Sequence, residues 1–146
     1  MTTPLVVLDA AAFDVVDAGE GAELRALLRQ TIVAGGDVRC AAVTLAEVCR
    51  GHERTRRVEA AIARDRGGTR ISVVPTEQRL AKLVGAVLHA SGSGSERLAD
   101  AHVVAVCAGA DAAIVVTADP GDIRLLATGL PGTRIVTRDP VRPLLG

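Results

Sequence analysis

The sequence predicts an α/β fold on an open parallel sheet, and three observations predict it. Short apolar runs alternate with helical periodicities along the chain, the signature of this class. Two of those runs, Leu5-Val6-Val7-Leu8 and Ala112-Ala113-Ile114-Val115-Val116, are apolar at every position, as in buried strands. Acids stand in otherwise apolar sequence where predicted strands give way to helices, and such sheets bind ligands beyond the carboxyl ends of their strands.

The elements follow in order. A strand over about 5–9 leads into helical sequence across 11–18 and 21–34. Gly35-Gly36-Asp37 turns the chain into a second strand near 38–42. Helices are expected at about 45–52 and 54–66, ending at Gly67-Gly68, and a third strand covers 70–74 until Pro75 stops it. Leu80, Leu83, Val84, Val87 and Leu88 recur at the i, i+3, i+4 spacing of an amphipathic helix. Ser91-Gly92-Ser93-Gly94-Ser95 is a flexible connection too short to separate domains. A helix over 96–109, a strand at 112–117, a helix at 120–129 and a strand at 133–137 complete the series. At 146 residues the chain, 1–146, is expected to be a single domain.

Composition narrows the function. Phe13 is the only aromatic residue, so the stacking platforms of single-strand binding proteins are absent. Net charge is zero and Lys82 is the sole lysine, so phosphate contacts would be local and made by arginine. The densest basic segment, Arg50 to Arg57, reads equally as a solvated helix face or as a patch for RNA phosphates or a partner. Cys40, Cys49 and Cys107 show no metal-type spacing and are expected to be buried free thiols of a cytoplasmic protein. Neither a secretory signal nor a membrane-spanning run is visible, so no membrane association is expected.

The chemistry rests on Asp9, Glu47, Asp100 and Asp119. Each has a plain structural alternative. Asp9 could cap the next helix, Thr44-Leu45-Ala46-Glu47 fits a capping box, and Asp119-Pro120 fits an N-cap followed by proline at N1. Asp100 lies in a helix whose neighbours Leu98, Ala99, Val103, Val104 and Val106 look buried, with Arg97 as a possible ion-pair partner. Together, unpaired carboxylates brought from four distant stretches need a cation, and oxygen-only ligands suit Mg²⁺ or Mn²⁺. Glu96, one helical turn before Asp100, is either a fifth carboxylate or part of a second capping box, Ser93-Gly94-Ser95-Glu96. Asp14 is expected to be a solvent-facing helix acid, and His102 a structural residue on a different helix face from Asp100.

The ordered set Val7-Leu8-Asp9, Thr44-Leu45-Ala46-Glu47-Val48, Ala99-Asp100-Ala101-His102-Val103-Val104-Ala105 and Val116-Thr117-Ala118-Asp119-Pro120-Gly121-Asp122-Ile123 resembles the PIN domain family, the fold of the VapC-type toxin ribonucleases. The likeness spans residues 5 to about 136. It implies a three-layer α/β/α fold with a central parallel sheet of about five strands. It also implies a quartet of Asp9, Glu47, Asp100 and Asp119 binding one or two Mg²⁺ or Mn²⁺ ions, with Asp122 and Glu96 as further candidate ligands. Thr117 matches the small hydroxyl residue that often precedes the fourth acid. The implied activity is RNA phosphodiester cleavage by metal-activated water. The implied partners are an RNA substrate, a second copy of the chain in a homodimer, and the antitoxin of a type II toxin–antitoxin pair. The apolar surfaces of helices near 45–66 and 76–90 are candidates for burial in those contacts. One position departs from the pattern: many PIN domains carry Ser, Thr or Asn where this chain has Ala11, which favours the alternative of a catalytically weak or inactive PIN-like binding or regulatory module.

Other acid-bearing α/β classes fit less well. A response-regulator receiver needs a lysine late in the chain, and Lys82 lies in mid-chain. A haloacid-dehalogenase-type phosphatase needs an acid where Ala11 stands. Gly92-Ser93-Gly94 follows a helix rather than a strand, and no GKS or GKT is present to bind a nucleotide.

Overall fold

The structure, a computed structural model, describes residues 3–17, 21–63 and 70–141. Its elements in chain order are β1 (Leu5–Leu8), α1 (Ala10–Asp17), α2 (Ala22–Val33), β2 (Asp37–Ala41), α3 (Ala42–Val48), α4 (His52–Ile62), β3 (Ser72–Val74), α5 (Gln78–Ala90), a 3-10 turn (Ser95–Arg97), α6 (Leu98–Val106), β4 (Ala112–Val116), α7 (Pro120–Ala127) and β5 (Arg134–Arg138). The five strands form one parallel sheet in the order β3-β2-β1-β4-β5.

Two cores explain why β1 and β4 read as unbroken apolar runs. Val6, Leu8, Val38 and Val116 point to one face and pack with Phe13, Leu24, Leu28 and Val58 from α1, α2 and α4. Leu5, Val7, Ala113 and Val115 point to the other and pack with Leu80, Val84, Val104 and Leu126 from α5, α6 and α7. The expected three-layer α/β/α arrangement is therefore present, with residues of both parities buried along the central strand. The edge strands β3 and β5 are half-covered and correspondingly less apolar.

Several expected boundaries move. α3 starts at Ala42, not near 45, because it grows directly out of β2 from an N-cap at Ala41 in extended conformation (φ −72°, ψ 143°). Thr44 is thus inside the helix and Glu47 in its last turn, so the capping box expected at 44–47 does not exist. The helix expected at 96–109 divides into the 3-10 turn and α6. Glu96 accepts from the Gly94 N–H at 3.2 Å, while Ser93 bonds Ser91, which is a local bracket rather than the full capping box. Leu98 is 45% exposed, contrary to its expected burial. Gly67-Gly68, expected to end α4, and position 18 of the first helix lie outside the described residues.

The turn after α2 needs its glycines. Gly35 has φ +80°, and a Cβ on Gly36 would meet the Pro4 carbonyl oxygen at 2.3 Å. That carbonyl accepts the Asp37 N–H at 2.9 Å, which sets β2 beside β1. Cys40 and Cys107 are buried and their thiols are pushed up to about 12, chiefly by burial, so both serve as core residues. Among the described residues no helix is long and apolar enough to cross a membrane.

Candidate functional site

The strand order reverses between β1 and β4, since β2 and β3 extend from one side of β1 and β4 and β5 from the other. The splaying of the helices that follow opens a crevice at the carboxyl ends of those two strands. Asp9 lies at its floor, one residue past β1 and only 5% exposed. Its backbone N–H continues the ladder to the Val116 carbonyl at 2.9 Å. Its carboxylate is held at both oxygens: Oδ1 accepts the Ala10 N–H at 2.8 Å, and Oδ2 accepts the Thr117 hydroxyl at 2.7 Å. The same Thr117 oxygen accepts the Asp119 N–H at 3.0 Å. One buried hydroxyl therefore ties the floor of the crevice to the loop that carries the fourth acid.

Asp119 occupies the N-cap position of α7, with Pro120 next as expected, yet its side chain makes no capping hydrogen bond. The exposed carboxylate is left to the crevice. Asp100 sits in the first turn of α6, half-buried. Arg97, the partner of the structural alternative, instead reaches Asp122 at 3.3 Å and Glu96 at 3.2 Å. No hydrogen bond or ion pair to a described residue neutralises Asp100. Its carboxyl is pushed up to about 6, first by burial, then by the negative charges of Asp9, Asp122, Asp119 and Glu47. Glu47, projecting from the end of α3, is likewise raised by burial and by Asp9 and Asp119, with Arg50 opposing. Asp9, Glu47, Asp100, Asp119 and Asp122 thus share one electrostatic neighbourhood. Glu96 does not join it: its carboxyl is lowered by the backbone N–H groups at its own position and at Gly94, with a smaller contribution from Arg97.

Among the described residues, no three His, Cys, Asp or Glu side chains form a closed ligand set. The donor chemistry is nonetheless uniform: carboxylates and one hydroxyl, without sulfur and without an exposed imidazole, a set that fits a hard divalent cation. His102 is 5% exposed and its Nδ1 lies 2.8 Å from the Leu98 carbonyl, which is the structural role expected of it. Asp14 forms an ion pair with Arg54, whose Nε also donates to the Val48 carbonyl at 2.7 Å, so this part of the basic segment braces α4 against α1 and α3. A cavity of about 640 Å³ lies elsewhere, at the amino ends of β1 and β2, where Asp37 is already paired with Arg39 at 2.8 Å. Sequence reasoning missed Arg97 as the cation spanning Glu96 and Asp122. Its position next to Glu96 was visible, but its reach to α7 depends on the tertiary packing.

Comparison with known proteins places this geometry. The sequence matches the PIN domain family over residues 6–127. In structure the chain is similar to FitAB bound to an IR36 DNA fragment, with TM-score 0.61, 18% identity, and coverage of 94% of this chain and 96% of that one. It is also similar to VapBC2 from Rickettsia felis bound to a DNA fragment from their promoter, with TM-score 0.60, 12% identity, and coverage of 92% and 99%. No curated protein matches it in sequence.

Proposed function

The chain belongs to the PIN domain family, and on that premise we propose that it is a Mg²⁺- or Mn²⁺-dependent endoribonuclease, the toxin of a type II toxin–antitoxin pair. The observation that carries the proposal is the Asp100 carboxyl, pushed up to about 6 by burial and by acids drawn from α3, α7 and the end of β1. A fold keeps such repulsion where a cation is to be bound, and perturbed acids in a crevice mark functional sites.

Asp9, Glu47, Asp100 and Asp119 would hold the cation, with Asp122 at the margin, where Arg97 already engages it. A bound ion of this class lowers the pKa of a water molecule and offsets charge gathering on a scissile phosphate. The chain's own residues do the rest. Asp9 is fixed in orientation by Thr117 and the Ala10 N–H, so it enters the site preorganised. The Asp100 carboxyl is raised to about 6, and holding the cation would require its ionised form. Arg50, exposed beside Glu47, would offer its guanidinium to a flanking RNA phosphate. A separately folded antitoxin would cover the crevice and silence it.

Incubation of the purified protein with RNA tests this reading. Cleavage should require Mn²⁺ or Mg²⁺, stop in EDTA, and be lost in Asp100→Asn while that variant stays folded. Equal cleavage by Asp100→Asn and the parent would sink the proposal, and a folded protein that binds Mn²⁺ yet cleaves no RNA would favour a regulatory module.

A further inference from the structure

Thr44 stands out once its capping role is gone. It is fully buried, and its hydroxyl has no hydrogen-bond partner. A helical threonine ordinarily donates back to the carbonyl four residues earlier. Here that residue is Cys40, which belongs to β2 and pairs with Val73 in the sheet. The helix begins directly out of the strand, so the usual acceptor is withheld. Buried hydroxyls without partners are rare, and each asks for an ordered water or a ligand.

Its place in the fold says which. Val7 is in register with Arg39, so Asp9, two residues on, stands level with Ala41 at the strand ends. Thr44 is three residues beyond Ala41 and one helical turn before Glu47, on the neighbouring part of the same face. α3 packs against α1, which follows Asp9, and against α6, which carries Asp100. The hydroxyl is therefore buried on a helix that packs against the one after Asp9 and the one carrying Asp100, a turn away from Glu47.

We propose that Thr44 is a positioning residue of the carboxylate site, its hydroxyl bonding an ordered water that steadies Glu47 and Asp9 for cation binding. The inference rests on the metal reading above and adds a residue to it. The competing account, a hydroxyl that is simply stranded in the core, predicts opposite signs. Replacing a stranded hydroxyl by a methyl group of the same shape stabilises a protein. Removing one that anchors a water bridge does not, and groups that support metal ligands cost about 10- to 100-fold in metal affinity when removed.

The experiment compares the parent with Thr44→Val and Thr44→Ser, in thermal melts of the metal-free proteins and in calorimetric titrations with MnCl₂ alone. Expected are a lower metal-free melting temperature and Mn²⁺ binding weakened about tenfold or more in Thr44→Val, with parental affinity in Thr44→Ser. If Thr44→Val does not fold, Thr44→Ser against Thr44→Ala isolates the hydroxyl in the same two measurements. A Thr44→Val protein that melts higher than the parent and binds Mn²⁺ equally well overturns the proposal alone. A parent that binds no Mn²⁺ overturns both it and the metal reading.

Discussion

Asp100→Asn should make the metal-free protein more stable at neutral pH, although it removes the acid most deeply involved in the site. The Asp100 carboxyl is raised from its ordinary 3.8 to about 6 by burial and four neighbouring negative charges. At about 1.4 kcal/mol per pH unit, the displacement corresponds to at most about 3 kcal/mol. The side chain is only half-buried, so solvent screening reduces this to about 1–2 kcal/mol. Because the folded protein binds this proton more tightly than the unfolded chain, the sign is fixed. No penalty exists below about pH 4, where both states are protonated. The penalty grows between about pH 4 and 6 and is complete above that window. Asparagine escapes it, so at pH 7 the variant should melt about 3–6 °C higher, at about 3 °C per kcal/mol for a chain of this length. The gap should close by pH 4. Melts in EDTA from pH 4 to 8 measure it, followed by circular dichroism or a dye, since the chain has no Trp or Tyr. Mn²⁺ should then reverse the order, because saturation to about 100 times the dissociation constant adds roughly 2.7 kcal/mol to the parent and less to the variant. The first turn of α6 supplies a direct refutation. If Asp100 merely complements the helix dipole there, its charge is worth about 0.3–1 kcal/mol in favour of folding. Asparagine would then lower the melting temperature at pH 7, and the reasoning would fail.

Three further outcomes are expected. Thr117→Val should cost about 1–3 kcal/mol in urea unfolding, because it strips the buried Asp9 carboxylate and the Asp119 N–H of a shared partner. RNA cleavage should fall with it, and unchanged stability would show that the bridge is dispensable. Gly36→Ala should destabilise by about 1–3 kcal/mol, since its methyl would press on the Pro4 carbonyl that aligns β2 with β1. The purified protein should be a homodimer by light scattering at micromolar concentration, and a monomeric mass would remove the second copy from the expected partners.

What could be read in the sequence, and what could not, divides along a physical line. β1 and β4 were legible because burial on two faces demands a run that is apolar at every position. α5 was legible because its buried Leu80, Val84 and Val87 keep one face. Local capping rules misplaced α3, whose start at Ala42 has no polar cap at all. There the helix is held by packing and by its continuity with β2, and tertiary contact outweighs the cap. Asp119 shows the reverse case: the rule put the residue at the right position and assigned its carboxylate the wrong task.

The convergence of the acids is less a property of any one segment than of the sheet order. Asp9 and Thr117 are separated by 108 positions in sequence, yet their side chains share a hydrogen bond. No periodicity predicts that; it follows from β4 pairing with β1 on the side opposite β2. Once that order is fixed, the helices leaving β1 and β4 carry Asp9 and Asp119 to the same crevice, and α3 and α6 bring Glu47 and Asp100 over its walls. The resemblance could group these acids because it implies that topology, whereas Thr44 was misread because its residue type fitted a local role. Its burial on α3, which packs against α1 and α6 and grows directly out of β2, is a fact of the assembled fold. A hydroxyl left without a partner there is the observation that sets the positioning role of Thr44 against a merely stranded one.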